Sequence, residues 1–209
     1  MRHSDYSLCN WFAITAYLLW KMYKVTFYRK FVFIWTGLAE VHVKFNGLQQ
    51  KSKKVAEENF SAFFNIGIEA MNRLFQSPAA ESVEAYKQSS TEADRMCHRE
   101  CVFTELKTIL NQYNVSPRMI PLVAETFTET TLEGIDVKNA DPTNSIKVCC
   151  RCKTEEALYG LKQLIDSGKM ANHFSRIMRC LISEQVTAFV SLSDEDFDKC
   201  FKSLTRATG

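Results

Sequence analysis

The stretch Ser145–Cys152, SIKVCCRC, alternates strictly. Ile146, Val148, Cys150 and Cys152 fall on one side, and Lys147, Cys149 and Arg151 on the other. Successive side chains of a β-strand point to opposite faces, so this is a half-buried strand. That constrains the rest of the chain. The apolar side needs a second layer to cover it, and the polar side is left to water, the pattern of antiparallel sheets. The alternation also bears on the cysteines. Cys149 and Cys152 have the C-x-x-C spacing of a zinc or redox site. Such sites sit on turns or helix starts, whereas residues three apart on a continuous strand face opposite ways. Cys150 and Cys152 therefore read as core. Cys149 reads as outward, between Lys147 and Arg151, where flanking cations lower a thiol pKa and make it the reactive thiol of the three.

The elements around this strand follow from their periods. Leu132–Val137 reads as a strand, and Asn139–Asn144 (NADPTN) supplies the turn of a hairpin. Thr154 caps a helix with Glu155 and Glu156 in its first turn and Ala157, Leu158, Leu161, Leu164 and Ile165 as its stripe. Gly168 stops it in the left-handed position past the C-cap. The next helix carries Met170, Phe174, Ile177, Met178 and Leu181, with His173 expected at the boundary of the stripe. Gln185–Leu192 (QVTAFVSL) alternates again, with Val186, Ala188, Val190 and Leu192 opposite Thr187, Phe189 and Ser191. Ser193 caps a last helix, whose positive end explains the acidic run Asp194–Asp196 without a metal.

Upstream the signals are weaker. Leu38–Phe45 alternates at Val41, Val43 and Phe45 and reads as a short strand ended by Asn46-Gly47. From Lys51 to Phe75 the period becomes helical. Phe60, Phe63, Phe64, Gly67, Met71, Leu74 and Phe75 share a face, and Glu57 and Glu58 lie off it. Ser77-Pro78 marks a new helix start with Ser77 as N-cap. A helix over Thr91–Tyr113 follows, its stripe formed by Met96, Phe103, Leu106, Leu110 and Tyr113. It holds Cys97 and Cys101 one turn apart, which are expected to be packed thiols rather than ligands.

Residues 1–37 stand apart as a hydrophobic extension. Ser7–Trp20 has no charge, but Lys21, Lys24, Arg29 and Lys30 keep either apolar run below the roughly 20 residues a membrane helix needs. The extension is a membrane anchor, a segment packed on the rest, or translated sequence outside the native fold. The remaining divisions are a strand and amphipathic helical region over 38–95 and an α+β domain over 96–209. The fold expected is a two-layer α+β sandwich, with helices covering one face of a mainly antiparallel sheet of about four strands.

Function classes narrow by exclusion. A net charge of +2 is too small to argue for nucleic acid, and Phe189 is the single aromatic on the polar faces of the two clear strands. There is no phosphate-binding glycine loop or metalloprotease helix, with seven glycines and four histidines in 209 residues. A non-catalytic chain without cofactor or metal is expected. Eight cysteines at mainly apolar positions suit a reducing cytoplasmic setting. A cysteine-based metal protein and a membrane-anchored protein with a soluble binding domain are the alternatives.

From about Cys97 to Leu204 the order of pieces resembles the TRADD N-terminal domain family. The resemblance is carried by ECVFTELKTILNQY, SPRM, VKNADPTNSIKVCCRC, EEALYGLKQLIDSGKMANHFSRIM, QVTAFVSL and DEDFDKCFKSL. It covers about half the chain. It implies an α+β sandwich with a four-stranded sheet, no catalysis, and an adaptor role in apoptosis-type signalling through TRAF-family partners. The segment Ala124–Gly134 is longer than that pattern needs, and no death domain is seen before Gly209. The polar face of the sheet, with Lys147, Cys149, Arg151, Thr187 and Phe189, is the expected protein-binding surface.

Overall fold

The computed structural model describes residues 37–142, 145–182 and 185–208; the expected extension lies outside them apart from Gly37. Four strands form one sheet: β1 Leu38–Asn46, β2 Ile135–Pro142, β3 Ile146–Cys152 and β4 Thr187–Leu192. Their order is β2-β3-β1-β4, and every neighbouring pair is antiparallel. The alternation in IKVCCRC is realised as expected. Cys150 and Cys152 are 0% and 1% exposed, with Ile146 and Val148 beside them, while Lys147, Cys149 and Arg151 face the other way. β1 lies between the hairpin and β4, so strands far apart in sequence meet through it.

Seven helices are found among the described residues: α1 Gln50–Leu74, α2 Ala80–Gln88, α3 Glu92–Leu110, α4 Ile120–Leu132, α5 Glu155–Asp166, α6 Lys169–Ile182 and α7 Asp194–Thr208. They cover the apolar face, giving the expected α+β fold. Side-chain hydroxyls cap α3 (Thr91), α5 (Thr154) and α7 (Ser193), each accepting a backbone N–H at 3.1–3.2 Å. Gly168 follows α5 with φ 73°, the left-handed turn expected of it. The aromatic stripe of α1 meets the sheet and the other helices. Phe60 lies 5.1 Å from Phe45 and 5.5 Å from Phe174, and Phe64 lies 4.9 Å from Phe127 and 5.3 Å from Phe174, measured between ring centroids. Gly67 makes this packing feasible, because a Cβ there would stand 2.1 Å from the Phe127 ring.

Several expectations are corrected. Leu132 is the last residue of α4, not the start of a strand; β2 begins at Ile135 and runs through Asn139 to Pro142, where a turn was expected. α4 had no amphipathic stripe because nearly all of it is buried. Two of its threonines are tolerated inside because their hydroxyls donate to its own carbonyls, Thr126 to Leu122 at 2.9 Å and Thr130 to Thr126 at 3.2 Å, while the Thr131 hydroxyl donates to the Met71 sulfur. α2 starts at Ala80, not Pro78, and the Ser77 hydroxyl instead donates to the Leu74 carbonyl at 2.9 Å.

α3 packs on α2, α4 and α1, burying Val102, Leu106, Ile109 and Leu110. Its first half stands in water, so Met96 is 47% exposed and Cys97 and Cys101 are exposed thiols rather than packed ones. Phe75, placed on the stripe of α1, is exposed, whereas Glu57, placed off it, is buried. His173 is buried as well, with its Nε2 3.0 Å from Glu129 Oε2. Gly37–Gly209 forms one compact unit, so the 38–95 region and the 96–209 domain share a single core.

Candidate functional site

The five residues expected to form a surface do lie on one face of the sheet, opposite the helices, but they form two groups. Lys147, Cys149 and Arg151 come from β3, and Thr187 and Phe189 from β4. β1 runs between the groups. Its outward residues Glu40, His42 and Lys44 complete the face, with Glu40 opposite Cys149, His42 opposite both Lys147 and Ser191, and Lys44 opposite Phe189. The period-2 pattern at Val41, Val43 and Phe45 already put these three on a polar side. Their place at the centre depended on a pairing between distant strands.

The charges of this face neutralise one another across the strands. Lys147 Nζ lies 3.3 Å from Glu40 Oε2, and Arg151 lies 3.2 Å from Asp136 on β2, which Lys138 also meets. Asp136 and Arg151 are directly opposed and Glu40 and Lys147 are diagonal, and opposite charges so placed across strands stabilise a sheet by a few tenths of a kcal/mol to about 1 kcal/mol each. Lys44 has no ion-pair partner among the described residues. Beside it Phe189 is 55% exposed, a large apolar side chain standing on a polar face. Aromatic anchors of this kind are typical of the centres of protein interfaces.

Burial runs against the expected reactivity of Cys149. Burial first, and then the charge of Glu40, push its thiol above the ordinary value, with Lys138 opposing them. Cys149 remains the most accessible of the three strand thiols. Cys150 is raised chiefly by burial. Cys152 is hydrogen-bonded in the core to Cys200 of α7, which raises Cys152 and lowers Cys200. Cys149 and Cys152 face opposite ways, so the C-x-x-C pair forms no site. Among the described residues no three His, Cys, Asp or Glu side chains are grouped to hold a metal ion.

Elsewhere, a cleft of about 320 Å³ opens between α2, the start of α3 and the start of α5, lined by Lys87, Arg95, Glu133, Lys153 and Glu156 among others. Its cations are turned to other partners: Lys87 to Glu84, Arg95 to the Ser89 carbonyl and Lys153 to the Phe75 ring. No helix among the described residues is long and apolar enough to cross a membrane. The chain matches no protein-family model, no curated protein and no solved structure.

Proposed function

We propose that the chain is a non-catalytic protein-interaction module, an adaptor in intracellular signalling that binds a partner of TRAF type through the open face of its sheet. One observation carries the reading. Phe189 is 55% exposed beside Lys44, unpaired among the described residues, on a face whose charges at Lys147 and Arg151 are paired with Glu40 and Asp136, so an apolar anchor and one free cation are what the face offers a partner. The resemblance of residues 97–204 to the TRADD N-terminal domain family supports the same class and suggests the partner.

The test is a pull-down of purified TRAF-domain proteins by the full chain and by a Phe189→Ala, Lys44→Glu double variant. Loss of binding with an unchanged circular dichroism spectrum is expected. Retained binding would remove this face from consideration. Arg151 is unsuited to charge reversal, because its pair with Asp136 ties β3 to β2 and its loss would disturb the sheet itself.

A further inference from the structure

Lys87, Arg95 and Lys153, with Glu133 and Glu156, are the charged residues lining the cleft of about 320 Å³ between α2, α3 and α5. The partners of those cations leave most of their charge in place. Arg95 donates its Nε–H to the Ser89 carbonyl at 3.2 Å, and Lys153 Nζ stands 5.6 Å from the centre of the Phe75 ring. Both partners are neutral, so they orient the cations without cancelling them. Neither cation forms an ion pair among the described residues. Lys87 does, with the exposed Glu84 at 3.5 Å, and an exposed pair of that kind is weak.

The two carboxylates are turned aside. Glu156 folds back on the start of α5, where its own N–H and then the Thr154 hydroxyl hold its carboxyl below the ordinary value. Glu133 Oε2 lies over Gly160 of the same helix, 2.9 Å from where a Cβ on that residue would stand. Thr154 also takes the Ala157 N–H at 3.2 Å. The N-terminus of α5 is therefore filled by the chain's own groups and is not what would hold an anion.

Arg95 gives the positive charge a geometry. Its bond to the Ser89 carbonyl, at the C-cap of α2, uses Nε alone. The two terminal nitrogens remain, and they form the fork that matches a pair of phosphate oxygens. The rest of the lining is largely apolar. Leu132 and Ala157 are buried, Tyr86 adds a ring, and Gly134 adds no side chain. A bare phosphate would leave much of a 320 Å³ cleft empty, so the space suits a larger group behind it.

We infer that the cleft binds a phosphate monoester carried on an aromatic ring, the chemistry of a phosphotyrosine side chain or of a small aryl phosphate. Arg95 and Lys153 take the phosphate oxygens, and the ring lies against Leu132, Ala157 and Tyr86. A phosphate of charge about −1.5 to −2 matches two unpaired cations better than a single carboxylate does. No residue of the cleft belongs to the outer sheet face, so the inference stands apart from the reading of that face.

The probe is phenyl phosphate, titrated into the full 209-residue chain and followed by two-dimensional NMR, with phenol and inorganic phosphate as controls. The Gly134 and Ala157 amides should shift, and each control should bind about tenfold more weakly or worse. Arg95→Gln should weaken phenyl phosphate about tenfold, the loss of a hydrogen bond to a charged group. Arg95→Lys should restore only part, since it keeps the charge and loses the fork. If Arg95→Gln misfolds, Glu133→Gln keeps the inference testable. It removes an opposing charge at nearly constant shape and should tighten binding about threefold, which damage to the fold would not do. A second titration uses a pooled random peptide library with a fixed phosphotyrosine. Binding tighter than phenyl phosphate assigns the ligand to a partner protein, and weaker binding assigns it to a small aryl phosphate; both keep the chemistry.

The inference falls if phenyl phosphate leaves Gly134 and Ala157 unmoved, or if Arg95→Gln, correctly folded, binds it as before. Inorganic phosphate binding as tightly as phenyl phosphate would mean an adventitious ion only, and phenol doing so would mean an apolar slot without an anion site. Either result overturns it.

Discussion

The two faces of this sheet have the same strands and the same period, yet they are held in different ways. On the inner face Val41, Val43, Val148 and Phe45 are sealed under Phe60, Phe64 and Phe174. There the free energy comes from apolar burial and close ring packing, and each side chain depends on the shape of its neighbours. On the outer face Glu40–Lys147 and Asp136–Arg151 face water. Those pairs fix little energy, and they leave Lys44 as the unpaired charge beside Phe189 among the described residues. The inner face carries the stability, so the outer one is left to vary or to bind.

The contrast breaks first at the centre of the core. Phe64→Ala removes a ring that touches Phe60, Phe127 and Phe174 and should cost about 3–5 kcal/mol in urea unfolding. A loss below about 1 kcal/mol would mean the core collapses around the gap, and that the packing is looser than the rings suggest.

An intermediate effect tests whether ion pairs on the helical side behave differently from those on the outer face. Glu129 of α4 is held below its ordinary value of 4.5, first by its hydrogen bond with His173, then by the charges of His173, Lys169 and Arg99, with burial opposing. A lowered carboxylate stabilises the fold above its unfolded-state value, and that contribution disappears as pH falls through the lower folded value. Melting temperature should therefore drop below about pH 4.5, and Glu129→Gln should flatten that drop. Glu57, raised mainly by burial, works in the opposite sense and should soften the acid loss. An unchanged acid limb in Glu129→Gln would put this pair in the same class as the surface ones.

The smallest effect belongs to the outer face. Lys147→Ala should change stability by less than about 1 kcal/mol, and the difference should shrink with added salt. The same variant offers a thiol readout. Cys149 should label ahead of Cys150 and Cys152 because it alone of the three is partly exposed. Labelling in the reverse order, Cys150 and Cys152 ahead of Cys149, would place the strand out of register by one.

Legibility along the chain follows from how each element is buried. β3, β4, α5, α6 and α7 each bury one side, so period 2 or 3.6 was written directly into their residues. α4 buries nearly all sides, and Thr126 and Thr130 satisfy themselves against its own backbone, so Thr126–Thr131 reads as polar although it lies in the core. The half-exposed α3 shows the converse: Met96 continues the helical period past the point where anything covers it. In the candidate site, the outward direction of Lys147, Cys149, Arg151, Thr187 and Phe189 was legible from alternation. The pairing of Lys147 with Glu40 was not, because the partners lie 107 residues apart.

Local periodicity, caps and turn chemistry are properties of neighbouring residues, so the sequence alone determined which segments become strands and helices in the readable third and which side of each is apolar. Strand order, the sealing of Ala140 by Asn65 and the ion pairs of the outer face depend on residues brought together from distant parts of the chain. Only the tertiary structure decided those, since no local pattern encodes which distant strand fills the place between β3 and β4.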